Sequence, residues 1–268
     1  ARYRWDGYSN NFQFTSYHWV NTVMAENVDF RNCVLYNWGN GNGCYGGPGG
    51  GQINIINNYY KAGPATKNTR RVTEISVGEA GNSTTGDMVG MASRYYIRGN
   101  FVEAAGTKAQ NYDWSGVTFD KGVQLIDGEH YTLDGADYYQ GVPHKTYNGR
   151  QYVPIKLAAP IASGDITTHS AEKAYRKVLA YAGASLFRDN VDVRYSKEAT
   201  DGTATFSGSK TGRAGIIDIV SDVDGYTEKN FPTGKRSDAF DTDLDGIPDV
   251  WETANGLNPN AANDALAM

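Results

Sequence analysis

A β-solenoid, an all-β fold of stacked parallel strands, is what this 268-residue sequence predicts. Three segments share one pattern: Phe30-Arg31-Asn32-Cys33-Val34-Leu35, Ile55-Ile56-Asn57-Asn58-Tyr59-Tyr60 and Ile97-Arg98-Gly99-Asn100-Phe101-Val102. The first two are separated by about one solenoid coil, and self-similarity at such a period marks stacked rungs. Their fourth position is Cys33, Asn58 or Asn100. Asn side chains stacked at a bend can hydrogen-bond along the stack, each amide both giving and taking.

Residues 1–103 carry these rungs, joined by loops rich in Gly and Asn. The loop from Gly39 to Gly51 contains a formal G-x-G-x-x-G at Gly41, Gly43 and Gly46. A dinucleotide site is excluded, because that motif must open a helix and this one leads through Pro48 into a strand at Ile53. Its glycines are expected to let a turn approach a neighbouring rung closely. Residues 104–168 read as irregular, interrupted by Pro143, Pro154 and Pro160. A helix follows from Ser170 as N-cap to Ala182, with Glu172 in its first turn and Gly183 beyond its end. Ala174, Val178 and Ala182, with Tyr175 and Leu179 alongside, form an apolar stripe that should pack on the solenoid.

The net charge of −5 argues against bulk nucleic-acid binding. Up to Arg71, however, seven bases (Arg2, Arg4, Arg31, Lys61, Lys67, Arg70, Arg71) face three acids (Asp6, Glu26, Asp29). A basic face on an acidic protein suits an anionic ligand other than DNA, and solvated Lys and Arg with no partner are the alternative. No apolar run reaches the length of a membrane span. Cys33 and Cys44 make no disulfide framework; a bridge and two inert thiols both remain open. His18, His130, His144 and His169 share no ligand spacing, and no Ser-His-Asp or Cys-His arrangement emerges.

The acidic loop from Asp241 to Glu252 fits D-x-[DN]-x-[DN]-G-x5-E in full. Carboxylates of Asp241, Asp243 and Asp245 at positions one, three and five converge on one centre, and Gly246 permits the sharp turn. The Ile247 carbonyl, Asp249 (directly or through water) and a bidentate Glu252 complete an oxygen shell for Ca2+. The preceding Thr233–Ser237 does not read as a helix, so this is half of an EF-hand, similar to the loops of dockerin and thrombospondin type 3 repeats. Its expected role is to tie down a C-terminal appendage, with a domain boundary at 232/233. A helix is expected after it, to Asn255, ending at Gly256.

Three strings in order, Phe30 to Gly39, Tyr45-Gly46-Gly47 and Ile56 to Thr66, resemble pectate lyases of polysaccharide lyase family 1. The closest likeness is to the branch with a C-terminal calcium loop, and Arg188 to Arg194 resemble that branch's tail. The resemblance implies a right-handed parallel β-helix over residues 1–232, here partial with N-terminal rungs missing, plus a packing helix and a calcium-loop appendage over 233–268. It implies a secreted, cell-surface or periplasmic monomer. The implied activity is cleavage of polygalacturonate by β-elimination, in which calcium bridges substrate carboxylates to protein acids and acidifies the proton beside the C6 carboxylate. An Arg takes that proton, and further Arg and Lys side chains grip the uronates.

The family pattern near the base is R-x-P-x-x-R. Arg4 falls on its last Arg, while Ala1 departs from its Pro. The first Arg and the calcium-binding acids would lie upstream of Ala1, so this chain alone is expected to be inactive. Arg4 therefore transfers as a uronate-binding residue and Arg2 more weakly, with an Arg4–Asp6 ion pair as the alternative. Two other functions compete. A polygalacturonase-like hydrolase needs close acidic pairs, whereas Asp29, Glu74, Glu79, Asp87 and Glu103 are scattered. A non-catalytic β-helix could bind acidic polysaccharide through the basic face and the platforms Trp5, Trp19 and Trp38.

Overall fold

The computed structural model describes residues 27–41, 43–46, 49–80, 89–134, 139, 141–183, 185, 188–223 and 237–262. The chain divides into two compact units, residues 1–226 and 227–268.

In the first unit the chain winds through three strand directions and then repeats them. Strands β1 (Asn27–Arg31), β2 (Val34–Tyr36) and β3 (Cys44–Gly46) are followed by β4 (Gln52–Ile56), β5 (Tyr59–Lys61) and β6 (Thr73–Ile75). The next set is β7 (Arg94–Arg98), β8 (Phe101–Val102) and β9 (Val117–Phe119). They assemble as three parallel sheets, in the orders β1-β4-β7, β2-β5-β8 and β3-β6-β9. The register aligns the three sequence repeats: Phe30 pairs with Ile55 and Ile55 with Ile97, as Val34 pairs with Tyr59 and Tyr59 with Phe101.

Alternation on these strands sends Ile53 and Ile55, Tyr60, Ile75, Tyr95 and Ile97 into one core drawn from all three sheets. Between the first and second strand of each coil lies a two-residue bend. Asn32, Asn57 and Gly99 occupy its left-handed position, with φ of 53°, 51° and 76°, where Asn and Gly cost least. At the next residue a polar ladder runs through the stack. The Cys33 N–H donates to Asn58 Oδ1 at 2.9 Å, and the Asn58 N–H to Asn100 Oδ1 at 3.0 Å. Asn100 in turn donates through its own N–H and Nδ2 to Asp113 Oδ1, which ends the ladder with a carboxylate. Asn58 and Asn100 are fully buried, so these bonds satisfy groups that have no access to water.

The glycine loop behaves as its composition predicts at Gly46. A Cβ there would lie 2.0 Å from the Glu74 carbonyl oxygen, so β3 approaches β6 as only glycine allows.

The segment read as irregular contains a four-stranded antiparallel sheet, ordered β10 (Gln124–Ile126), β11 (Glu129–Leu133), β13 (Arg150–Pro154), β12 (Lys145–Tyr147). Its two hairpins turn on Asp127-Gly128 and Asn148-Gly149, all four residues at positive φ. Asp-Gly and Asn-Gly are the strongest short hairpin signals, but the strands are short and rich in polar residues, which hid the alternation. Pro154 sits at the end of β13, where its missing N–H breaks little of the ladder.

Helix α1 (Ala171–Tyr181) begins as expected, with Ser170 Oγ accepting from the Lys173 N–H. It lies against β2 and β5: Tyr175 stacks on Tyr59 at 4.2 Å between centroids, and its hydroxyl accepts from Lys61 Nζ. A second helix, α2 (Asn190–Asp201), was not foreseen. Its N-cap Asp189 accepts from the N–H groups of Val191 and Asp192, and Gly202 closes it in the left-handed conformation. Those caps were readable; the helix is too polar to show a clear stripe. Among the described residues no helix is long and apolar enough to cross a membrane.

In the second unit, Asp238–Phe240 makes a single 3-10 turn and α3 (Asp249–Asn255) follows the acidic loop, stopping at Gly256 with φ 77°. Residues 233–236 lie outside the described residues.

Candidate metal centre

The acidic loop turns through its own backbone before any ion is considered. Gly246 at φ 96° reverses the chain, and its N–H donates to Asp241 Oδ2 at 3.0 Å. Asp243 Oδ1 accepts from the Asp245 N–H at 3.3 Å, and Asp245 Oδ1 from the Ile247 N–H at 2.7 Å. Each aspartate thus commits one oxygen to shaping the loop. The other oxygen of each (Asp241 Oδ1, Asp243 Oδ2, Asp245 Oδ2) is buried without a hydrogen-bond partner among the described residues. One carboxylate oxygen from each of the three lies within 4.8 Å of the others.

Burying three such oxygens together is unfavourable for both desolvation and mutual repulsion. A hard divalent cation removes both costs, and its preference for six to eight oxygens fits a donor set made only of carboxylates and carbonyls. The residues present therefore suit calcium. Glu252, on the first turns of α3, is fully buried, where a bidentate ligand would be required.

Asp249 is placed differently. Both of its oxygens accept from Thr242, from the backbone N–H at 2.7 Å and the hydroxyl at 2.6 Å. These bonds, the hydroxyl's first, hold its carboxyl below the usual range. Asp249 consequently braces the start of the loop against α3 and stands outside the three-carboxylate cluster. Ile247 contributes a backbone N–H to the loop.

Arg2 and Arg4, with Trp5, Trp19, His18 and Asp6, lie outside the described residues. The remaining bases of the N-terminal stretch are largely committed within the protein. Arg31 forks onto Asp29 at 2.8 Å; burial acts to raise the Asp29 carboxyl, yet hydrogen bonds from Arg31 and Asn54 hold it below its ordinary value. Arg71 pairs with Glu74 at 2.6 Å, Arg70 Nε donates to the Ala104 carbonyl and Lys61 to the Thr200 carbonyl. The basic excess therefore overstates the free positive surface. Trp38 packs edge-on against Tyr60, 6.0 Å between centroids, at the margin of the core, and is partly buried.

Cys33 and Cys44 are both thiols. Burial pushes the Cys33 thiol up, away from reactivity. His144 contacts buried Asp134, and the His169 carbonyl accepts from Asn32 and Asn57 side chains, so both are tied into the structure rather than assembled as a site.

No protein-family model and no solved structure matches the chain. Curated sequences do. It is 31% identical over 241 residues to a protein of Aspergillus flavus named probable pectate lyase C, an alignment covering 88% of this chain and 43% of that protein. Proteins of the same name from Aspergillus fumigatus (30% over 243 residues; 90% and 44%) and Aspergillus oryzae (30% over 241 residues; 88% and 43%) are similar to it as well. The chain thus spans less than half the length of these relatives. About nine-tenths of the chain aligns with proteins named as probable pectate lyases, at 30–31% identity.

Proposed function

We propose that this chain forms part of a pectate lyase that cleaves polygalacturonate by calcium-dependent β-elimination, built on a right-handed parallel β-helix. The observation that carries the reading is the alignment of almost the whole chain with proteins named as pectate lyases. The three parallel sheets around one core support it, since that winding is what a parallel β-helix requires. An extended polysaccharide suits such a scaffold, because stacked coils offer a long, straight wall on which successive sugars repeat.

Calcium, when bound among substrate carboxylates, supplies Lewis-acid stabilisation of the carbanion-like state formed as the proton beside C6 leaves. The protein's share is to grip the uronates by charge-assisted hydrogen bonds, a role proposed here for Arg4 and, more weakly, Arg2. The acidic loop has a separate, structural part: Asp241, Asp243, Asp245 and Glu252 would hold a calcium ion that fixes the second unit, with the Ile247 carbonyl and Asp249 completing the set. The proposed boundary is residues 1–232 against 233–268. A secreted, cell-surface or periplasmic monomer acting on pectin follows from the same reading.

Hydrolysis by an acid–base pair fits less well. Asp29 is locked to Arg31, Glu74 to Arg71, and Glu103 accepts from the Tyr59 hydroxyl; they occupy separate partnerships rather than one pair across a cleft. The deciding experiment digests polygalacturonate with the full-length parent protein, with and without chelator. Unsaturated uronide that disappears when calcium is removed supports the proposal. Saturated products, or unsaturated ones indifferent to chelator, would overturn it.

A further inference from the structure

We propose that the last coil carries a second binding cleft, for a short anionic oligosaccharide, built entirely from residues of the first unit. A cavity of about 860 Å3 opens where β7 meets the antiparallel sheet, within the size range of pockets that hold small ligands. Beyond β7, a single bridge joins Tyr95 to Lys156, so the sheet edge is only partly covered. Tyr96, Arg98, Trp114, Phe119, His130 and Lys156 line the cleft.

The lining joins aromatic surface to unneutralised positive charge. Phe119 and His130 stack at 3.5 Å between centroids, and Lys156 Nζ stands 5.6 Å from the Trp114 centroid. Arg98 Nη1 donates to the Tyr96 hydroxyl at 3.3 Å. Arg98 and Lys156 are both exposed, and neither joins the ion pairs formed among the described residues. Asp113, whose charge Arg98 feels, spends its oxygens on the N–H groups of Gly99 and Asn100. The lining includes one carboxylate, Glu129, which accepts from the Tyr131 hydroxyl. Burial lowers the His130 imidazole, so the ring enters the balance as an aromatic surface rather than a cation. Two cations against one acid is a local positive excess on a protein of net charge −5.

Half-exposed aromatic rings offer an apolar body to the C–H face of a pyranose, and Arg and Lys offer charge-assisted bonds to its carboxylate. The spacing argues for more than one sugar. Lys156 is level with Tyr95, and Arg98 lies three residues further along β7, about 10 Å at strand rise. One carboxylate does not bridge that separation, whereas successive uronates can.

The test is calorimetric titration of the full 268-residue chain, in chelator, with tetragalacturonate, a glucuronate oligomer and a neutral galactose oligomer of equal length. The choice of galacturonate rests on the lyase reading; binding of either acidic oligomer supports the cleft, so failure of the lyase assay and failure of the cleft are separable. R98Q/K156Q, at exposed positions, should weaken binding at least tenfold. W114F, which keeps a ring in the core, should weaken it less. No binding of any acidic oligomer, equal binding of the neutral one, or affinity within twofold in the double variant would each overturn the proposal.

Discussion

Asn100 sits directly under Asn58 in the coil stack, and its Oδ1 accepts from both the backbone N–H and the Nδ2 of Asn58, at 3.0 and 3.1 Å. One buried oxygen thereby joins two coils, while Asn100 Nδ2 donates to the Ile55 carbonyl and to Asp113. The bend is determined by side-chain amides as much as by the sheets beside it.

Asn100→Ala should therefore destabilise the first unit by about 3 kcal/mol, since it strands several buried donors and acceptors at about 1–3 kcal/mol each, partly relieved by relaxation. Urea unfolding followed by fluorescence would measure it. A loss under about 0.5 kcal/mol would show that the ladder contributes little.

Glycine positions in the same loop should separate sharply. Gly46→Ala places a methyl 2.0 Å from the Glu74 carbonyl oxygen, a backbone contact that cannot swing aside, whereas nothing lies within 4 Å of a Cβ at Gly41. The first substitution should cost more than about 2 kcal/mol and the second less than about 0.5 kcal/mol, in the same urea experiment.

Calcium should raise the melting temperature of the second unit. At a hundredfold excess over the dissociation constant the linkage is about 2.7 kcal/mol. Asp243→Asn keeps the shape of the loop but removes one converging charge, so the calcium-dependent rise in a calorimetric scan should shrink or vanish. An unchanged response in this variant would remove Asp243 from the centre.

Asp222 gives a pH signature. Its carboxyl is lowered to about 2 by hydrogen bonds from the Ser209 side chain and N–H, then from the N–H groups of Asp218 and Ile219. A folded-state value below the unfolded value of about 3.9 means the contribution is complete above about pH 4. It is lost as pH falls through about 2. Ser209→Ala should move the Asp222 titration, read by carbon-detected NMR, upward toward the ordinary value. Titration near 4 in the unaltered protein would contradict the geometry.

The parallel winding was legible because three hexads carried their own alignment: the register that pairs Phe30 with Ile55 and Ile97 is the one their residues spell out. The convergence of Asp241, Asp243 and Asp245 was legible because their spacing points one oxygen of each at a common centre, and the folded loop brings those oxygens within 4.8 Å of one another. Asp249 carries a bond that the pattern does not encode, since the folded loop also ties its carboxylate to Thr242. The antiparallel sheet escaped notice although Asp127-Gly128 and Asn148-Gly149 announced its turns. The pairing of the basic residues was not legible, because composition does not say that Arg31 closes on Asp29 and Arg71 on Glu74. The cleft beside Trp114 gathers side chains from β7, β9, β11 and the stretch after β13, a convergence that no local motif encodes.

Stacking of the coils is tested most directly by backbone nuclear Overhauser contacts between β4 and its neighbours. Parallel register requires Ile53 beside Tyr95 together with Ile55 beside both Ile97 and Phe30. Contacts running the opposite way, Ile53 to Ile97 with Ile55 to Tyr95, would contradict it.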